Sequence, residues 1–314
     1  MNAAQSQGIL RARLVGVIIA AAILVYTVAF GASPRQETGD RTPVAGTAVP
    51  AGHGKLSEHN IEWLKTQPAQ VQAEFLLGSA VNHEQGAVEV ISKRVDSWHG
   101  KIHKSQRLDD LQMAALYSND LRVRAAAIEI NLAYSDLAKT DETALRLIES
   151  AERDPGSRPW AAWELGMLAN RGIQQERIHE FLAAWLHDPN QQTRFWAVEG
   201  LAHFGTDETI KDFLDVLRND PSLEVRERAG CSLAKSGMLT REQRMKAVPG
   251  LLELTDDPSL DATTRSWIYQ ALREITDVRL PNDPATWRNW YAAQGAQRLH
   301  QFQQNDAWAV LGNN

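Results

Sequence analysis

Histidine and cysteine are the side chains best suited to metal or nucleophilic chemistry, and the 314-residue sequence holds nine of the first and one of the second. His99 and His103 stand at i, i+4, a spacing that sets two imidazoles on one helical face, with Asp96 a turn earlier as a third ligand. A structural zinc site takes four ligands, no fourth lies near, and Gly100 weakens the helix that would align the pair. His83-Glu84 lacks the second histidine of a metalloprotease helix. Cys231 has no intrachain partner and falls between Ala229 and Leu233 in a helical pattern, which suits a small buried residue better than a reactive thiol. No Gly-x-Ser-x-Gly elbow, P-loop or dinucleotide fingerprint occurs. The expectation is therefore no catalytic residue, no cofactor and no metal, in a protein that is not an enzyme.

Charged residues offer two further candidates. His99, Lys101, His103, Lys104 and Arg107 form the densest basic stretch, suited to an acidic partner or a phosphate, though such runs are more often solvated connections between helices. Arginine also recurs at 124, 158, 194, 226 and 265, about every 32 to 39 residues. Net charge is −6 with mixed signs, so there is no broad basic field, and nucleic acid is not an expected partner.

The elements that must position these arginines are legible around them. Asp188-Pro189, Thr193-Arg194, Ala197, Leu201-Ala202 and Gly205 return as Asp220-Pro221, Val225-Arg226, Ala229, Leu233-Ala234 and Gly237. Fainter copies surround Asn119-Asp120 with Arg124, Asp154-Pro155 with Arg158, and Asp257-Pro258 with Arg265. In each copy the aspartate is expected to cap a first helix and the proline to occupy its first turn. Gly205 and Gly237 are expected to end such helices in the left-handed conformation. Second helices follow at Glu142 to Arg153, Gln175 to His187, Asp207 to Asn219 and Glu242 to Thr255, each with apolar residues at helical spacing. Residues 56–117 read as a helical N-terminal cap, 118–278 as the repeats and 279–314 as a C-terminal cap and tail. The fold class is all-α, an α-solenoid whose units bury their apolar faces against one another.

Asp-Pro, Val/Thr-Arg, Ala and Leu-Ala in helix pairs of this period resemble bacterial HEAT repeats of the phycobilisome-lyase-like variety, over about residues 118 to 278. Leu272 to Thr276, Asn282-Asp283-Pro284, Trp287 and Trp290 resemble the C-terminal cap of such proteins, with Asp277 where a glycine is common. The resemblance implies that the repeat Asp and Arg (Arg124, Arg158, Asp188, Arg194, Asp220, Arg226, Arg265) bridge adjacent units. It implies a scaffold that binds a protein or peptide. The alternative is a bilin lyase or isomerase, an activity expected in the cytoplasm. A HEAT-type DNA glycosylase is opposed by the acidic balance.

Residues 14–32 are an uninterrupted apolar run behind Arg11 and Arg13, long enough to span a bilayer. A signal-anchor helix is expected, with residues 1–13 cytoplasmic and the repeats extracytoplasmic, in the periplasm of a Gram-negative cell; a cleaved signal would secrete them to the same side. Residues 33–55, with Pro34, Pro43 and Pro50, read as a flexible linker. The outward positions of the second helices are then the expected partner surface: Arg146, Glu149, Arg153, Glu180, His187, Asp212, Asp215 and Arg218. Most of the ten tryptophans, those on repeat helices included, are expected in the core.

Overall fold

The computed structural model describes residues 54–311, with side chains to residue 304. The expected anchor and nearly all of the linker lie outside the described residues; within them no helix is long and apolar enough to cross a membrane. Every regular element among them is helical. Helices α1 (Glu58–Lys65), α2 (Ala69–Val81), α3 (Ala87–Arg94) and α4 (Gln106–Leu116) come first, with a 3-10 turn (Val95–Trp98) after α3. Ser57 and Ser105 start α1 and α4 by accepting the amide protons of Asn60 and Leu108 at 3.1 and 3.0 Å. Leu64, Leu76, Leu77, Ile91, Trp98 and Leu108 are buried in their shared core.

Four helix pairs follow. The first unit is α5 (Leu121–Tyr134) and α6 (Asp141–Arg153); the second is α7 (Arg158–Asn170) and α8 (Gln175–Trp185). The third is α9 (Gln191–Phe204) and α10 (Glu208–Asn219). The fourth begins with α11 (Leu223–Cys231), which ends in a π-helical turn (Ser232–Ser236). Its second helix is broken into α12 (Arg241–Met245) and α13 (Val248–Thr255), not continuous as the sequence suggests, and Pro249 in the first turn of α13 suits a fresh start. Helix α14 (Ala262–Thr276) and the long α15 (Pro284–Leu311) complete the chain.

First helices pack on first helices along the array, and α7 and α9 approach most closely. A Cβ on Gly166 would fall inside hard-contact distance of the Gly200 carbonyl oxygen, and one on Gly200 would strike Ala162 in turn. The two backbones can meet only because neither position has a side chain.

Two helix endings depart from expectation. Gly205 is left-handed, with φ 76°, but Gly237 is not: its φ is −87°, because the π turn redirects the chain into an extended exit. Asp277 takes the left-handed place with φ 55°, and Arg298 donates to the carbonyls of Thr276 and Asp277 at 2.6 and 3.0 Å to close α14. Aspartate therefore serves where a glycine is common.

Candidate functional site

Asp120 caps α5 as expected, its side chain accepting the Arg122 amide at 2.9 Å, whereas Asp188 and Asp220 do not cap their helices directly but fold the preceding turns. Asp188 and Asp220 each accept the amide two residues on, Asn190 and Ser222, at 2.8 Å. The N-cap of α9 is Asn190, whose side chain accepts from Gln192 and Thr193. In both aspartates an oxygen also receives the arginine of the unit before. Arg158 Nη1 reaches Asp188 Oδ2 at 2.7 Å, and Arg194 donates through Nε and Nη2 to both Asp220 oxygens at 2.8 and 3.1 Å. Arg194 also satisfies the carbonyls of Asp188 and Pro189, and the Asp220 hydrogen bonds hold its guanidinium above its ordinary pKa despite burial. Arg226 reaches Asp261, not the Asp-Pro aspartate of its neighbour, at 3.1 Å, and Arg218 takes Asp257 at 2.8 Å. Arg265 ends the series on the carbonyls of Asp257 and Leu260.

With the repeated charges consumed between units, the residues that do not repeat are the ones left for solvent. Arg146, Glu149, Arg153, Glu180, His187 and Arg218 are exposed. Arg153 lies 3.6 Å from Glu149, a pair too exposed to hold either side chain firmly. Asp212 is not free for a partner: its Oδ2 is 2.6 Å from His179 Nε2 across the α8–α10 contact. Asp215 is half-buried and accepts from Asn219 at 2.7 Å.

His187 and Asp215 come together in an open groove of about 360 Å³, between the Asp188-Pro189 and Asp220-Pro221 turns. Leu186 and Val216 lie at its floor, and Asp188, Arg194 and Asp220 are among its polar walls. The groove thus presents both apolar and charged groups to a ligand.

His99 and His103, weighed as a metal pair from their spacing, do not share a helical face. The 3-10 turn ends at Trp98, Gly100 is left-handed, and His99 lies 3.8 Å from Asp136. The basic stretch stays in solvent: Lys101, His103, Lys104 and Arg107 are exposed, Lys104 faces Asp109 at 3.5 Å and Arg107 faces Glu74 at 3.8 Å in water-screened pairs, and only the His103 amide is fixed, on Gln70. Trp98, Trp185 and Trp287 are core residues, but Trp160 is 44% exposed, stacked on Trp196 with Lys104 above it.

A buried polar junction escaped the sequence reading. Arg124 does not reach Asp154 of the next unit; that link is made instead by Arg171, paired with Glu129 at 2.9 Å and donating to the Ala125 carbonyl at 3.0 Å. Arg124 turns to the Gly237 carbonyl, 113 residues on, which also accepts from Arg244 Nη2 at 3.1 Å. Arg244 further holds the carbonyls of Ala234, Lys235 and Leu239, so two guanidiniums close the carbonyl end of α11 and its π turn. Burial lowers Arg124 to about 10 and Arg244 to about 9. Beside them Arg228 Nε lies against Glu199, and its Nη1 donates to the Tyr117 hydroxyl at 3.4 Å. His203 Nδ1 meets the Glu199 carbonyl at 2.8 Å, and its ring stacks on Trp163. Burial, with Arg228 and Arg124 nearby, takes His203 down to about 4, so the imidazole is neutral and Nδ1 carries the proton. The available signal was α9 itself, which carries Glu199 and His203 yet is buried on every face.

The sequence profile of HEAT repeats matches residues 142–234 and, in a second register, 178–273. No curated protein matches the chain. Among solved structures it is similar to the crystal structure of an engineered protein, at 20% identity over 69% of this chain and 95% of that one. The TM-score of that superposition is 0.31, too low to carry an argument about fold. Residues 142 to 273, whose regular elements are all helical, therefore carry HEAT repeats.

Proposed function

We propose that the protein is a membrane-tethered, extracytoplasmic HEAT-repeat scaffold that binds a protein or peptide on the outward faces of α6, α8 and α10 and acts by recognition, not catalysis. HEAT repeats commonly mediate protein interactions, and the observation that carries the reading is the division of labour among charges. Arg158, Arg194, Asp188 and Asp220 are spent between units, while Arg146, Arg153, Glu180 and His187 stay exposed. The groove that joins His187 to Asp215 adds a recess beside α10 to that surface. The tether rests on the apolar run at residues 14–32, which would raise the local concentration of membrane partners.

The test is crosslinking and pull-down from membranes with the full chain and with a variant carrying Arg146→Glu, Arg153→Glu and Glu180→Lys. Retention of partner should fall at least tenfold in the variant while its melting temperature stays within about 2 °C. Equal recovery by both proteins would remove this face from the proposal. Protease accessibility in spheroplasts tests the tether separately: the repeats should be digested without lysis.

A further inference from the structure

From the second unit onward consecutive units are joined by apolar packing and by the arginine ladder, and Arg171 links the second unit to the first. The first and fourth are joined differently, through Arg124 on the Gly237 carbonyl, with Tyr117 in the turn that leads from α4 into the first unit lying against Arg228; the paired positions are 113 and 111 residues apart. Arg124, Glu199, His203, Arg228 and Arg244 are all buried around that contact. Charges removed from water lose much of their hydration before pairing returns any of it, so an ionic contact of this kind sits near balance. On separation, Arg124, Arg228 and Glu199 regain hydration that offsets much of the lost hydrogen bonding. The α7–α9 contact, with its backbones touching at Gly166 and Gly200, gains nothing comparable from water.

We propose that this junction is a polar clasp: Tyr117 and Arg124 hold the first unit against the fourth, and the array opens there, between α4–α5 and the end of α11, more readily than between consecutive units. Opening frees α6, with Arg146, Glu149 and Arg153, from its fixed relation to the later units. A partner that spans α6 and α10 thus binds the closed and open forms unequally and shifts the balance between them. The inference concerns the array alone and stands whether or not a membrane tethers it.

Cys231, the sole cysteine, reports the event. It is half-buried beside Tyr117 and Arg228, and burial raises its thiol to about 11, so labelling in the closed form is slow. The full chain, in mild detergent, is treated with a thiol reagent before and after Arg124→Gln. Labelling should accelerate at least tenfold with the helical circular dichroism unchanged. The matched ladder variant Arg194→Gln should lose stability without that acceleration below its melting transition. Unchanged labelling in Arg124→Gln, or equal acceleration in both variants, would overturn the clasp. Should Arg124→Gln fail to fold, hydrogen exchange on the unaltered chain decides. Amides of α4, α5 and residues 232–238 should exchange together and faster than those of α7 and α9, and equal protection throughout would overturn the proposal.

Discussion

At the scale of the residue, one arginine type performs graded work that exposure decides. Arg194 and Asp220 are both nearly buried and meet through two parallel bonds, whereas Asp261, the partner of Arg226, has 42% of its side chain in solvent. Removing one member of a buried pair strands the other, at a cost of about 3–5 kcal/mol, while a solvent-screened pair is worth about 1 kcal/mol or less. Arg194→Ala should therefore lower unfolding stability by about 3 kcal/mol or more, and Arg226→Ala by about a third of that, as measured by urea titration. Equal losses would mean that the carbonyl contacts, Arg194 on Asp188 and Pro189 and Arg226 on Asp220, carry the effect.

At the scale of the element, glycine separates positions that need the absence of a side chain from those that tolerate one. Gly200→Ala drives a methyl into Ala162, and overpacking of this kind costs about 1–3 kcal/mol even after the gain in helix propensity. Gly230, in the last turn of α11 where the helix runs on into the π turn, faces only a Leu217 methyl at 3.5 Å, so Gly230→Ala should stabilise by up to about 1 kcal/mol. Thermal melts of the two variants should move in opposite directions. The helix pairs were readable in advance because cap, apolar period and arginine recur together, each reinforcing the others. Gly237 was misjudged because its phrase matches Gly205 while the local backbone does not: the π turn before it is a feature of one unit only. The exposed face was partly legible, since phase against the apolar residues finds Arg146 and Glu180. It overlooked His179, which takes Asp212 out of play. The junction at Arg124 could not be read at all, because hydrogen bonds to carbonyls leave no residue type to recognise and its partners lie 111 to 113 positions away.

At the scale of the whole molecule, two buried titrating groups set opposite limits on stability. His203 has a folded value of about 4 against an ordinary 6.5, so the unfolded chain binds the proton more readily. Stability is full above about pH 6.5 and is lost as pH falls toward 4, by about 3 kcal/mol in total. Glu164 is pushed the other way, to about 7, by burial. The folded chain then holds that proton more tightly, and stability is lost as pH rises through 7. Glu164 begins to lose stability above its unfolded value of 4.5 and has lost it by about pH 7, so between about pH 4.5 and 6.5 the two slopes oppose each other and the melting temperature should change little. Glu164→Gln should uncover a rise in melting temperature from about pH 4 to 6.5 and His203→Gln a fall from about pH 4.5 to 7; a profile unmoved by either change would assign the dependence to other groups.

Repeat chains commonly gain or lose units by duplication, since each copy asks only for a neighbour on either side. Here Arg124 must find the Gly237 carbonyl, three units further on. An inserted copy would carry that carbonyl out of reach, and a deleted one would bring a different turn to the arginine. One hydrogen bond thereby makes the number of intervening repeats a property under constraint, in a fold whose lineage is otherwise free to change its length.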